Sequence, residues 1–150
     1  TWPYNAIPAD PQTHLFPNGS APMTQPPAAA YHEAESHKAL AYYRVQQSLS
    51  QMKGCLAEGF PIVIGFSVYD SLWDAHGNPV TVLPMPGGND HQVGGHAVVV
   101  VGYDDAKQLF TIRNSWGPAV QDHGHFYMPY GYAADPNLAN DFWTIRGMSG

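Results

Sequence analysis

The segment that most restricts the fold is Ala97-Val98-Val99-Val100-Val101-Gly102-Tyr103. Successive β-branched side chains lose rotamer freedom against a helical turn but fit a pleated sheet, so this run is a strand. Its near-continuous apolar character predicts a strand buried on both faces. It ends at Asp104-Asp105-Ala106-Lys107, a turn sequence, and Leu109-Phe110-Thr111-Ile112-Arg113 follows. The two strands are therefore expected to return on each other as an antiparallel hairpin. Gly94-Gly95-His96 leads into the first strand and Asn114-Ser115-Trp116-Gly117 leaves the second. A hairpin brings those two clusters to one end of the ribbon.

More β-structure surrounds this ribbon. Pro61–Tyr69, His125–Met128 and Phe142–Arg146 have strand composition. A short helix is expected within the Ala-, Glu- and Lys-rich stretch Ala28–Ala41. A second spans Ser48–Glu58: the serine opens it, Leu49, Met52 and Leu56 recur at helical spacing, Gly59 supplies a left-handed stop and Pro61 lies beyond. Ala41-Tyr42-Tyr43-Arg44-Val45 suits a strand but continues a helical stretch, and both readings stay open. Ser71–Val93, with Gly77-Asn78-Pro79 and Pro84-Met85-Pro86-Gly87-Gly88, reads as loop. The first 27 residues hold seven of the fourteen prolines and one charge, Asp10. They predict an extended strap over 1–27, pinned by Trp2, Tyr4, Leu15 and Phe16, ahead of a β-rich domain over 28–150. The class is α+β, built mainly on an antiparallel sheet.

Composition removes several function classes. An apolar fraction of 44% with 12% charged residues is that of a packed globule. The net charge is −6, and the six Lys and Arg are scattered singly, so no basic stripe exists to track a nucleic acid. No apolar run approaches the roughly 18 residues that span a bilayer, so no membrane partner is expected. The single cysteine, Cys55, cannot form an internal disulfide, and the fold must stand on packing. A start at Thr1 is expected of a chain whose upstream segment was removed, or of a piece of a longer chain. Together these features point to a secreted or bacterial extracytoplasmic setting.

The two clusters at the hairpin end suggest a chemistry. A cysteine nucleophile acts as thiolate, a neighbouring imidazole takes and returns the proton, and a third side chain orients that imidazole. His96 and Asn114 suit the last two roles. Trp116 is placed to lie over the His–Asn bond and keep water off it, which strengthens the bond. Gly94 and Gly95 let a substrate backbone approach where a Cβ would collide. Singly, each residue has a plain structural explanation; it is the combination that argues for chemistry. Cys55 is not the expected nucleophile, because it lies in the last turns of its helix, where the partial negative charge opposes a thiolate and Glu58 adds to it. His123-Gly124-His125, with Asp122 and His91, invites zinc, but no third ligand stands at diagnostic spacing, so neither metal nor cofactor is expected.

On Gly94-Gly95-His96-Ala97-Val98, Val101-Gly102-Tyr103-Asp104 and Asn114-Ser115-Trp116-Gly117, the chain resembles the papain-like cysteine peptidases of the bacterial type. The likeness extends from Trp2-Pro3-Tyr4, through Leu56–Val63 and Met128-Pro129-Tyr130, to Asp141–Ile145. It implies a papain-like fold, mainly the right-hand β-barrel-like domain with a short helix. It implies peptide-bond hydrolysis through a thioester, with His96 as base, Asn114 as its orienter and Trp116 shielding both on the leaving-group side. Gly65 and Ala97 would fall in the pocket for the substrate residue second from the scissile bond, expected to be roomy and apolar. Two departures stand out. The family's second Trp-Gly is replaced by Pro118–Phe126, and nothing here matches the N-terminal half that carries the nucleophilic cysteine and the oxyanion-hole glutamine. The expected partner is therefore an N-terminal chain or segment supplying both, with a peptide or protein as substrate. A non-catalytic binding or regulatory module of the same fold is the alternative.

Overall fold

The computed structural model describes residues 9, 10, 12, 13 and 15–149. Trp2 and Tyr4, two of the expected anchors, lie outside the described residues. The other two, Leu15 and Phe16, are 64% and 36% exposed, and among the described residues before Ala28 the one regular element is a short 3-10 turn at Ala21–Met23. The chain divides into two compact units, with boundaries between Leu40 and Ala41 and between Arg146 and Gly147.

Three helices and six strands follow the strap: α1 (Ala28–Ala34), β1 (Ala39–Arg44), α2 (Leu49–Ala57), β2 (Ile62–Tyr69), β3 (Gln92–Asp104), β4 (Leu109–Arg113), β5 (His125–Pro129), α3 (Tyr130–Ala134) and β6 (Ala139–Met148). The ambiguous Ala41–Val45 stretch resolves as strand. α2 starts where the serine predicts, with the Ser48 side chain accepting from the Gln51 amide at 3.4 Å, and it stops at Gly59, whose φ is +88°. α3, unforeseen in the sequence, is only five residues long, too short to show helical periodicity.

The strands form one sheet in the order β1-β6-β2-β3-β4-β5, and β2–β3, β2–β6, β3–β4 and β4–β5 are all antiparallel. The sheet is not closed, and β1 and β5 are its edges. The outer edge of β5 is met by the long loop after β2: the Leu83 amide donates to the Tyr127 carbonyl and the Tyr127 amide to the Thr81 carbonyl, both at 2.8 Å. That loop satisfies the edge that closure would otherwise need.

One face of the sheet carries the core. Ile62, Ile64, Phe66 and Val68 of β2, Val98 and Val100 of β3, Phe110 and Ile112 of β4, and Phe126 and Met128 of β5 are all buried, with Met52 of α2 and Tyr132 of α3 among them. Each such side chain stabilises the fold by about 1.5–3 kcal/mol. The valine run is buried on one face only. Val98 and Val100 are 4% and 0% exposed while Val101 is 44% exposed, because an antiparallel sheet, unlike a parallel one, can leave one side uncovered.

A bulge in β3 fixes the geometry of the site. Near the turn the register is Asp104↔Leu109 and Gly102↔Thr111; beyond Val101 it becomes Val100↔Ile112 and Val99↔Arg113. The one-residue shift puts Ile112, and with it Asn114 two residues on, on the same face as Val100, Val98 and His96. Had the register set at the turn continued, Asn114 would face away from His96.

Candidate functional site

His96 stands opposite Phe66 in the β2–β3 ladder, and Asn114 lies one step past the end of β4. The Asn114 backbone amide donates to the Gly124 carbonyl at 2.9 Å, which extends the β4–β5 pairing by a step and holds the residue in place. His96 Nε2 and Asn114 Oδ1 are 3.0 Å apart. The same Oδ1 accepts from the Ser115 backbone N–H at 2.8 Å. A backbone N–H only donates, so the atom between it and the imidazole is the amide oxygen, and His96 Nε2 carries the proton. Nδ1 of the neutral ring is left with its lone pair.

The ring is gripped from both sides. Trp116 stacks on it, with centroids 5.1 Å apart and planes 22° apart. Phe66 presents an edge-on contact at 5.9 Å and 64°. Phe66 is in turn braced by Phe126 and Tyr132 at 5.9 and 6.2 Å, and the Tyr132 hydroxyl donates to the Ser67 carbonyl at 2.7 Å. Asn114 is 7% exposed, whereas Trp116 is 39% exposed. The orienting bond is thus shielded while the indole lid faces outward.

A cavity of about 470 Å³ opens beside the ring, lined by Gly65, Phe66, Ser67, Gln92, Gly95, His96, Ala97 and Asn140. Gly65 and Ala97 both line it, as does Gly95. The walls are not purely apolar, however, since Ser67, Gln92 and Asn140 add polar side chains that spacing along the sequence did not reveal. A Cβ at Gly94 would meet nothing within 4 Å, and one at Gly95 only the Phe66 carbonyl at 3.7 Å. Packing within the chain therefore demands neither glycine.

Three comparisons with known proteins bear on this site. Residues 11–134 match the family model described as the peptidase C39-like family. The chain belongs to that family. It is 38% identical over 130 residues to an uncharacterised peptidase C1-like protein of Acanthamoeba polyphaga mimivirus, covering 81% of this chain and 42% of that protein. Among solved structures it is similar to xylellain, a cysteine protease from Xylella fastidiosa, with 46% identity and a TM-score of 0.90 over 97% of this chain and 54% of that one. A clostridial cysteine protease shares the fold at 14% identity and TM-score 0.60, over 89% of this chain and 35% of that one. The fold is that of the papain-like cysteine proteases. The chain spans about half the length of xylellain and less of the viral relative.

Within this peptidase fold the remaining polar residues fall elsewhere. Cys55 is 5% exposed, and its Sγ lies 3.7 Å from an Arg146 Nη and 3.5 Å from the Phe60 carbonyl. It lines a separate cavity of about 270 Å³ with Glu58, Thr144 and Arg146. The histidine pair His123 and His125 does not share a strand face: β5 begins at His125, and His123 sits in the preceding turn with φ +49°. Asp122 accepts from the Tyr127 hydroxyl, and His91 Nδ1 faces Asp70 at 3.3 Å. Among the described residues no three His, Cys, Asp or Glu are grouped so as to hold a metal. Gln121 was not singled out in the sequence. Its Oε1 accepts from Asn114 Nδ2 at 2.8 Å and its Nε2 donates to the Val80 carbonyl at 2.8 Å.

Proposed function

We propose that these residues form the base-bearing half of a papain-like cysteine peptidase. His96 is the general base and acid, Asn114 orients it, and the nucleophilic cysteine and an oxyanion-hole glutamine come from polypeptide outside this chain. The observation that carries the reading is the His96 Nε2–Asn114 Oδ1 bond of 3.0 Å, which leaves Nδ1 free to take a proton from an incoming thiol. The thiolate would attack the scissile carbonyl carbon, forming the C–S bond. Collapse of the tetrahedral adduct breaks the C–N bond as His96 returns the proton to the departing amine. Water then attacks the thioester with His96 as base, releasing the acid and restoring the thiol.

Supporting features surround the ring. Trp116 covers the orienting bond on the side where the amine leaves, and Gly94 and Gly95 leave room for an extended peptide backbone. Gly65 and Ala97 lie in the adjoining cavity, where the substrate residue second from the scissile bond would enter. Ser67, Gln92 and Asn140 make that pocket suited to side chains able to form hydrogen bonds. The length matched in xylellain, 54%, leaves ample polypeptide for a cysteine-bearing half. Pro118–Phe126, the stretch that replaces the family's second Trp-Gly, supplies Gln121 to Asn114, and this favours a working base over a non-catalytic module.

The test is to combine the chain with a cysteine-bearing N-terminal half and titrate with the thiol-directed inhibitor E-64 while following peptide hydrolysis. One equivalent of label, with loss of hydrolysis, is expected. A folded complex that neither labels nor cleaves would refute the proposal.

A further inference from the structure

Asn114 has two ends, and only one orientation of its amide serves His96. If the amide turned over, Nδ2 would face the ring, Nε2 would have to supply the lone pair, and Nδ1 would carry the proton. An imidazole in that tautomer cannot accept a proton from a thiol at Nδ1. The Ser115 N–H discriminates between the two orientations from one side. The other side needs an acceptor facing Nδ2, and that acceptor must itself be unable to turn.

Gln121 meets this requirement through a third group. The Val80 carbonyl can only accept, so the Gln121 amide must present its Nε2 there, at 2.8 Å. Its Oε1 is then obliged to face Asn114 Nδ2, also at 2.8 Å. The sense of the whole hydrogen-bonded chain is therefore set at both ends by backbone, the Val80 carbonyl and the Ser115 N–H. The Val80 amide is tied in turn to the Leu72 carbonyl at 2.8 Å, so the anchor does not drift.

The backbone at Gln121 bears on the same point. Its φ is +56°, a left-handed conformation that side-chain-bearing residues rarely adopt and that persists where surroundings over-determine it. The loop is set by Gly117 (φ +92°) and Gly124 (φ +83°), with the Gly124 amide donating to the Val120 carbonyl at 2.9 Å. The left-handed turn aims the glutamine inward between Asn114 and Val80.

We propose that Gln121 is a positioning residue that fixes the orientation of the Asn114 amide and, through it, the tautomer of His96. The inference deepens the peptidase reading and takes its kinetic part from it. Its structural part is testable on the 150-residue chain alone.

The experiment compares Q121A, Q121M and Q121E with the unaltered chain. The His96 ring nitrogens are observed by 15N NMR near pH 7.5 and assigned by their loss in H96N. In the unaltered chain Nε2 and Nδ1 should be well separated, as protonated and unprotonated nitrogens. In Q121A and Q121M the two shifts should converge as the tautomers mix. In Q121E one carboxylate oxygen still accepts from Asn114 Nδ2 while the other opposes the Val80 carbonyl. The shifts should therefore stay apart even though the variant loses thermal stability. A merely structural glutamine would give the opposite pattern, with the least stable variant the most disturbed. In the assembled enzyme, Q121A should lose about tenfold to a hundredfold in kcat with KM within about twofold, and Q121E should recover most of that loss.

Q121M decides the matter if Q121A fails to fold. Separated shifts in Q121A or Q121M, or convergence in Q121E, overturn the proposal. An assembled enzyme that cleaves nothing sinks the peptidase reading while leaving the tautomer result intact. Unchanged kcat alongside mixed tautomers sinks the kinetic role of Gln121 alone.

Discussion

Two polar clusters in the same compact unit invite comparison. Around His96, Asn114 Oδ1 accepts from both the Ser115 N–H and His96 Nε2. The run of donors and acceptors from Ser115 through Asn114 and Gln121 to the Val80 carbonyl starts and ends on backbone, leaving His96 Nδ1 open. Around Cys55, the Arg146 guanidinium reaches Glu58 and the thiol and covers the Phe60 ring at 4.0 Å, yet its Nε is buried without a partner among the described residues. The first cluster spends its polarity on orienting one imidazole and leaves that ring beside an open cavity. The second joins the end of α2 to β6 and presents its sulfur to a charge and a carbonyl, with no imidazole among the groups that touch it. Carrying reactive side-chain types does not make a site; what counts is whether their neighbours hold one atom in one protonation state beside free space.

The comparison is broken most directly at His96. In the assembled enzyme, His96→Ala should lower kcat by about 10⁶-fold, the scale seen when a catalytic triad loses its base. Retention of activity within tenfold would move the base elsewhere. Asn114→Ala should cost less, about 10²-fold and mostly in kcat, because the ring remains but is no longer held in one tautomer. An effect confined to KM would make Asn114 a substrate contact instead.

The Cys55 side of the comparison predicts the opposite. Cys55→Ser should leave kcat/KM within about twofold and reduce stability by about 1 kcal/mol, an ordinary loss for one buried, partly bonded group. Iodoacetamide at pH 6 should label Cys55 in the folded chain far more slowly than in urea. Rapid labelling of the native chain, with loss of activity in the serine variant, would make Cys55 a second reactive centre.

The two clusters also differed in how far the sequence exposed them. The hairpin, His96, Asn114 and Trp116 were legible because strand composition, turn residues and a glycine pair act locally. The bulge at Val101 was not, since nothing in a run of four valines marks which one is extra; yet that bulge turns Asn114 toward His96. Gln121 was hidden for a related reason: it works through tertiary contacts with Asn114 and Val80 and through a left-handed φ that no glycine or asparagine announces. The one-sided burial of β3 was misread because continuous apolar runs in parallel and antiparallel strands look alike until the pairing is known.

The smallest effect tests the layer behind the ring. Tyr132 is 1% exposed, packs edge-on against Phe66, and gives its proton to the Ser67 carbonyl, so it braces the wall that His96 leans on. Burial raises its hydroxyl from the ordinary 10.0 to about 12. A raised folded-state value means that its contribution to stability is fully present below pH 10 and is lost as pH climbs from there through about 12. Burial also raises the Tyr130 hydroxyl, and the bond to Asp122 raises that of Tyr127. Ultraviolet difference titration should therefore show several late phenols, of which one disappears in Tyr132→Phe, and that variant should lose about 1–2 kcal/mol near neutrality because the Ser67 carbonyl is left unpartnered. Its stability should also fall less steeply between pH 10 and 12 than that of the unaltered chain. Equal slopes would mean that the bond to Ser67 does not tie Tyr132 to the folded state, and Phe66 would then have to be held by Phe126 alone.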